Sequence, residues 1–443
     1  MVSQLGLDTC VAVSGRYVST AGEVLTKQTL YPAIYSMVQK HGALGAQVRP
    51  GATPGTIPQF VRLHTLDLDT VVSFLDDEVV AVDELLRAQL GQPFALSVSA
   101  PLWRLVVVNG HTVVFGFHHA IADGQSGMAL LSALLSSLND IDTNEANASN
   151  IVPVPPTSSM VGPAEAYADT SVSWSGLLSM AYERLVPQSW KPATPAATAW
   201  TGNPIPQIPS PDLTVRAWSI PPSQTTALLQ LCRSNTTTLT AFLHTLLVGV
   251  LSRLLVAREE AGGYKTIAVG IPVSLRRFTG VSPFELCDHV SGMALYTPLV
   301  PIIDGKDFPW DTARTVAAEL QERVPGSSER LGVTRILLRF VSHESLLKDA
   351  LGKKRTVGLG LSNLGRFPLR EDYIRAEDAK WRLESVFFAQ SDVVRGSAFK
   401  ANVVGSPEGA TNVTFSWGKT AIDQNLAETL VVEMKATLDN MLG

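Results

Sequence analysis

The sequence predicts an α/β protein built as two domains, and three observations carry that prediction. At 443 residues the chain is long for one core at roughly 100–200 residues per domain. Strand-like and helix-like runs alternate in both halves, the pattern of mixed α/β architecture. Between them lies a proline-dense stretch, with VPVPPTSS, KPATPAATAW and GNPIPQIPSP all inside residues 140–215. Proline at that density interrupts helices and sheet ladders alike, so the stretch reads as a crossover. The predicted division is residues 1–165, a linker at 166–215, and residues 216–443.

Each element has its own signal. A first strand is expected in LDTCVAVSGRY, and Tyr31 to His41 carries apolar residues at helical spacing with Pro32 tolerable in the first turn. The Gly/Pro-rich run at 49–58 marks a turn region. Trp103 to Phe117 gives the clearest local pattern, two β-rich runs joined by Asn109-Gly110, which predicts a hairpin with a tight primed turn. Leu131, Leu134, Leu135 and Leu138 then recur at helical spacing after Gly124. Helix-like residues appear at 172–186, and helices are expected over 222–233, 238–257, 311–324, 334–351 and 423–442. Strands are expected over 265–275, 291–300, 356–362, 383–390 and 411–417.

Composition narrows the function classes. With 45% hydrophobic residues the chain can fill sizeable cores, and wholesale disorder is excluded. Its 35 Lys and Arg against 40 Asp and Glu supply no bulk positive field, so no nucleic-acid partner is expected. Cys10, Cys232 and Cys287 are too few and too scattered for a disulfide framework or a CxxC metal site, which points to a reducing, cytoplasmic setting. MVSQLGLDTC lacks the basic and apolar regions of a secretory signal. The apolar run from Leu239 to Ala257 has the length of a membrane span, but His244 and Arg253 inside it favour a buried core helix over a transmembrane segment.

The residues that carry chemistry follow the hairpin: His118-His119-Ala120-Ile121-Ala122-Asp123-Gly124. With eight histidines in the chain, multiplying residue frequencies makes a chance H-H-x-x-x-D-G about a 10⁻³ event. An imidazole titrates near pH 6.5, so it is mostly free to accept a proton at neutral pH. Adjacent residues in extended backbone point to opposite faces, so one ring, His119, would reach a substrate and His118 would support it. Asp123 could pair with the other imidazole, orient His119, or brace the loop through an arginine, and bracing by Arg104 is the preferred reading. Gly124 permits a sharp turn into the next helix. The two diverging rings and Asp123 make a poor ligand set, so no metal is expected. Asp288-His289 has the composition of a dyad, but adjacent residues rarely aim at one proton. His244 reads as a satisfied core histidine.

The motif at 118–124 resembles the signature of the acyltransferase superfamily that includes chloramphenicol acetyltransferase, plant-type BAHD enzymes, peptide-synthetase condensation domains and alcohol O-acetyltransferases. The alcohol acetyltransferase branch is most similar in detail. Pro101-Leu102-Trp103-Arg104 resembles its pre-hairpin P-x-x-R, Val273-Ser274-Leu275-Arg276 a central strand ending in arginine, and Ser362-Asn363-Leu364-Gly365 its S-N-L-G. Where BAHD enzymes carry D-F-G-W-G, this chain has Thr414-Phe415-Ser416-Trp417-Gly418. The chain also begins inside the expected first strand, without the leading basic helix of many relatives.

The resemblance implies two chloramphenicol-acetyltransferase-like domains, mixed sheets with flanking helices, and a channel between them. It implies transfer of an acyl group, acetyl in the simplest case, from acyl-CoA to a small hydrophobic alcohol of specialised metabolism by a monomer, with His119 as general base. No cofactor is bound, since acyl-CoA is a co-substrate. Arg276, Lys353, Lys354 and Arg355 are candidate phosphate contacts, and Ser362, Asn363, Ser416 and Trp417 lie in segments the superfamily places near the channel. Two alternatives remain open, a free-standing condensation-like domain fed by a carrier protein and an idle binding scaffold.

Overall fold

The computed structural model describes residues 10–442 apart from 50–57, 77–79, 97–99, 141–148, 187–189, 191–193, 209, 304, 338–344, 346–347, 369–378 and 392–395. Two sheets organise the chain. The first has five strands, ordered Trp381–Gln390, Cys10–Ser19, Thr112–His118, Trp103–Val108 and Val72–Leu75. Its neighbours are antiparallel except for the last pair, which is parallel. The second sheet runs Leu213–Ile220, Thr411–Gly418, Phe399–Gly405, Leu359–Arg366, Thr266–Ser274 and Val290–Pro298, with Ala199–Trp200 beside Thr266–Ser274. Leu359–Arg366 lies parallel to both of its neighbours. The fold is therefore two mixed α/β lobes.

The hairpin forms where the sequence predicts it, and Asn109 and Gly110 both take positive φ, 51° and 66°, as a primed turn requires. Helices Lys27–Lys40 and Gly124–Asp140 bury their apolar faces on one side of the first sheet, while Leu85, Leu86 and Leu90 of the short helix Val82–Leu90 cover the other. In the second lobe, Leu239–Ala257 is long and apolar enough to cross a bilayer, but most of it is buried, packed among helices Pro222–Ser234, Trp310–Arg323 and Gln424–Leu442. Thr238 starts it as an N-cap, its hydroxyl accepting the N–H of Ala241.

The lobes interleave. Trp381–Gln390, from the second half of the sequence, is the edge strand of the first sheet. Its outer edge meets side chains instead of a backbone ladder: Asn412 donates to the Val386 carbonyl at 2.7 Å, Thr414 to Phe388, and Ser416 to Gln390 at 3.2 Å. Alternate residues of one strand share a face, so this row of polar side chains joins the two sheets.

Three features differ from the sequence expectation. Phe399–Gly405 (FKANVVG) is a strand that lies almost wholly buried, so it lacks the alternation that would have revealed it. The crossover contributes to the second sheet at both Ala199–Trp200 and Leu213 onward. The helix expected over 334–351 is observed as Glu329–Leu337, and most of the remainder falls outside the described residues, as does nearly all of 49–58.

Candidate active site

The second hairpin strand ends at His118, and His119 is the first residue of the turn that follows. His118 is buried, its Nδ1 accepting the Ala120 N–H at 3.0 Å and its ring set edge-on to Phe94. His119 points the other way, with 23% of its side chain exposed, and its Nδ1 lies 3.5 Å from Oδ2 of Asp288. That distance is an ion-pair contact more than a tight hydrogen bond. Burial pulls the His119 pKa down, but the charge and hydrogen bonding of Asp288, with a smaller push from Asp123, outweigh it and carry the ring up to about 9. The sequence expectation of a ring resting unprotonated at neutral pH therefore changes, because it could not include a carboxylate from so distant a segment.

Asp123 braces, but not through Arg104. Its Oδ1 accepts the Ser126 N–H at 2.9 Å and the Ser126 hydroxyl at 3.0 Å, capping the helix it precedes. Its Oδ2 takes Nη1 of Arg276 at 2.5 Å and the His289 N–H at 3.2 Å. Arg276 and Asp123 are 5% and 4% exposed, and Nη2 of Arg276 reaches the Ser126 hydroxyl at 2.9 Å. The Ser126 hydroxyl in turn contacts the backbone of Cys287. This cluster ties the hairpin lobe to the segment at 285–289. Arg104 instead binds Gln89 and the Gln92 carbonyl and lies over the Phe94 ring. Gly124 has no positive φ. It is needed for space, since a Cβ there would sit 2.9 Å from Leu364 and 3.3 Å from Phe388.

A cavity of about 420 Å³ opens beside His119. Its walls are mainly apolar, with Ile271, Val290, Met293, Val357 and Leu361, and its polar groups include Ser362, Gln390, Ser397 and Lys400. That is the usual make-up of a small-molecule site. Of the eight residues expected near acyl-CoA, Ser362 alone lines this cavity. Arg276 is committed to Asp123, and Arg355 is 2% exposed, donating from Nε to the Asn203 carbonyl at 2.9 Å and from Nη1 to that of Gly396 at 2.9 Å. Lys354 Nζ donates to the carbonyls of Ala196 and Ala197, and Lys353 is exposed. Asn363 bonds Thr240 and, in an Asx-type turn, the N–H of Gly365, whose φ is 77°. Ser416 belongs to the polar row between the sheets. Trp417 is fully buried, stacked on Phe399 with its Nε1 donating to Gln424. Arg276, Arg355, Ser416 and Trp417, expected near acyl-CoA, are thus buried and outside the lining of this cavity.

His289, His244 and the three cysteines do not line the cavity. His289 is held between Thr279 and the Gly162 carbonyl, so its neighbour Asp288 is left to serve His119. His244 is buried beside Thr297, and burial lowers its pKa to about 4, so it is a neutral core histidine. All three cysteines are buried, and none is in a disulfide. Among the described residues no group of three or more His, Cys, Asp or Glu is arranged to hold a metal ion. Sequence reasoning weighed Asp288 only as a dyad with His289 and missed Ser126; Asp288 meets His119 only through the tertiary fold, whereas Ser126 caps onto Asp123 three residues away.

A two-lobed α/β body with a histidine facing a cavity where the lobes meet defines the class of condensation-domain and chloramphenicol-acetyltransferase-like acyltransferases. Solved structures agree on the fold. The TRI3 trichothecene 15-O-acetyltransferase from Fusarium sporotrichioides superposes with a TM-score of 0.66 at 11% identity, covering 99% of this chain and 93% of that one. The condensation domain of the monacolin K polyketide synthase MokA superposes at 0.63 with 11% identity, covering 100% and 95%. The profile of the alcohol acetyltransferase family matches residues 1–438, and the chain belongs to that family. The probable alcohol acetyltransferase crmB of Aspergillus fumigatus is 26% identical over 426 residues, spanning 89% of this chain and 86% of crmB. FCK4 of Fusarium pseudograminearum, another probable alcohol acetyltransferase, is 26% identical over 401 residues, spanning 84% and 78%. The protein is accordingly an O-acyltransferase acting on small molecules.

Proposed function

We propose that the protein moves an acyl group, acetyl in the simplest case, from acyl-CoA to the hydroxyl of a hydrophobic alcohol, with His119 as general base. The observation that carries this reading is the placement of His119: its ring faces an apolar cavity while Asp288 stands behind Nδ1, which leaves Nε2 for proton transfer. Nε2 takes the proton of the acceptor hydroxyl as that oxygen attacks the thioester carbonyl. A tetrahedral oxyanion forms, and its collapse breaks the carbon–sulfur bond and expels the CoA thiolate, which receives the proton from Nε2. Atoms and charge balance with no further reactant. This reading takes Ser362 as the oxyanion donor, and its presence in the cavity lining supports that choice.

A pKa near 9 has a definite kinetic consequence. Only about 3% of the rings are unprotonated at pH 7.5, and that fraction rises about tenfold per pH unit until it saturates. The free base is correspondingly stronger. The relative that acetylates a trichothecene supports a specialised metabolite as the acceptor.

The test is release of free thiol from acetyl-CoA in the presence of an alcohol panel, with ester products identified by mass. Turnover with a carrier-loaded acyl thioester but with no CoA ester would replace this reading by a condensation-like one.

A further inference from the structure

The cavity beside His119 holds an amide whose two ends can be told apart. Gln390 closes the strand Trp381–Gln390, is half-buried and lines the cavity. Val11 pairs with Gln390 on one side and with Phe117 on the other, and His119 stands two residues past Phe117. Amide and ring therefore come from the same end of the first sheet.

The neighbours of Gln390 decide which end of its amide is tied down. Buried Asn402 points Nδ2 at the Thr414 carbonyl, 3.3 Å away, and at the Ser416 hydroxyl, 3.4 Å away. A carbonyl oxygen only accepts, so the Thr414 contact by itself requires the nitrogen there and turns Asn402 Oδ1 the other way. That Oδ1 likewise only accepts, so the Gln390 atom meeting it at 3.1 Å has to be Nε2. The Ser416 hydroxyl agrees: it donates to the Gln390 carbonyl and is left to accept from Asn402. Oε1 of Gln390 is the untied end. It takes no hydrogen bond from the described residues, and it is not among their fully enclosed unpaired atoms.

The polarity of that atom is fixed, unlike that of the groups around it. The Ser362 hydroxyl can rotate to donate or accept, and the Lys400 ammonium only donates. An amide oxygen held by a relay of hydrogen bonds offers an acceptor to every ligand. It favours a ligand with an N–H or O–H at that point and disfavours one with an ether oxygen there.

Resting on the acyl-transfer reading above, we infer that Gln390 is a specificity-determining residue whose Oε1 accepts a hydrogen bond from an uncharged N–H or O–H of the bound substrate. Two sources offer that chemistry: a second hydroxyl on the acceptor alcohol, or an amide N–H in the pantetheine arm of acyl-CoA.

Gln390→Leu tests this, because it removes the acceptor at nearly unchanged volume. Initial rates are measured on wild type and variant with acetyl-CoA and matched acceptors, α,ω-diols of four to ten carbons and their monomethyl ethers. Each ether keeps the distal oxygen and loses its proton. For an acceptor contact, wild type has a KM about fivefold lower for the best diol than for its ether. The variant reduces that ratio to the twofold a diol gains from two reactive ends, and its KM for acetyl-CoA is unchanged. For a donor contact, the variant raises the KM for acetyl-CoA about fivefold with every acceptor. KM values unchanged for both substrates would overturn the assignment. So would a fall in kcat alone, since that would place the amide at the reacting atoms.

Wild type alone decides the matter if Gln390→Leu does not fold. Either the diol and its ether differ as stated, or acetyl-CoA and analogues N-methylated at the pantetheine amides do, and equal KM values within both pairs would sink the inference. If wild type turns over no alcohol, the acyl-transfer reading is removed, and calorimetric titration of both proteins with CoA and with the diols tests the subsite separately. Tighter binding of either ligand by wild type supports it, whereas equal affinities remove it.

Discussion

Asp123 and Asp288 both stand where the two lobes meet, and their surroundings give them opposite work. Asp123 is dry: every bond it makes is internal, to Ser126, Arg276 and the backbone of His289. Asp288 is 39% exposed and touches the His119 ring at 3.5 Å. A carboxylate buried with a full set of partners fixes a conformation, whereas one left half in water tunes a neighbour and leaves room for a proton to move. The comparison separates joint from engine, two jobs the H-H-x-x-x-D-G motif folds into one string of letters.

The largest effect belongs to the dry site. Arg276→Met leaves the Asp123 carboxylate buried without its counter-ion, and equilibrium denaturation is expected to show a loss of about 3–5 kcal/mol. A loss below about 1 kcal/mol would mean that the joint is not held by charge. Next comes the ring itself. His119→Ala is expected to lower kcat/KM for acetyl transfer about 10²-fold or more with little change in melting temperature, and retained activity would remove His119 from the mechanism.

Asp288→Asn sharpens the comparison most directly. In the wild type the base is active when deprotonated, so the rate should climb with pH through about 9. Removing the carboxylate takes away the main influence that raises the ring, leaving burial, which lowers it, and the weaker pull of Asp123. The acid limb of kcat/KM should therefore move to lower pH, and a limb that stays in place would show that Asp288 does not set the ring's titration. The same change should barely affect folding at pH 9.5, where the ring is mostly neutral in both proteins. The smallest expected effect is in the polar row between the sheets. Ser416→Ala should cost about 1 kcal/mol of stability and leave KM unchanged. A selective rise in KM for acetyl-CoA would return Ser416 to the substrate path.

Much of the fold was legible because it is local. The Asn109-Gly110 turn, the leucine spacing after Gly124 and the all-apolar run from Leu239 each follow from neighbouring residues, and each appears in place. Phe399–Gly405 was not legible, because a strand enclosed on both faces has no alternation to read. Pairing of Trp381–Gln390 with Cys10–Ser19 was hidden for another reason: no local property of either strand names the other. The site divides in the same way. His119 and Asp123 were visible as a motif, but Arg104 was the nearest plausible partner in the sequence and Arg276 is the actual one. The basic run at 353–355 looked like an anion site, and the fold turns Arg355 inward to hold the backbone before Ser397.

The sequence by itself determined the class of chemistry, because the motif, its hairpin and the helix that follows lie in one continuous stretch, residues 103–140, whose types and spacing fix their own conformation. Only the tertiary structure decided which carboxylate governs the ring and which arginine locks the loop. Charge and hydrogen bonding act over a few ångströms of space, and the chain brings Asp288 and Arg276 to their places only once both sheets have closed on their cores.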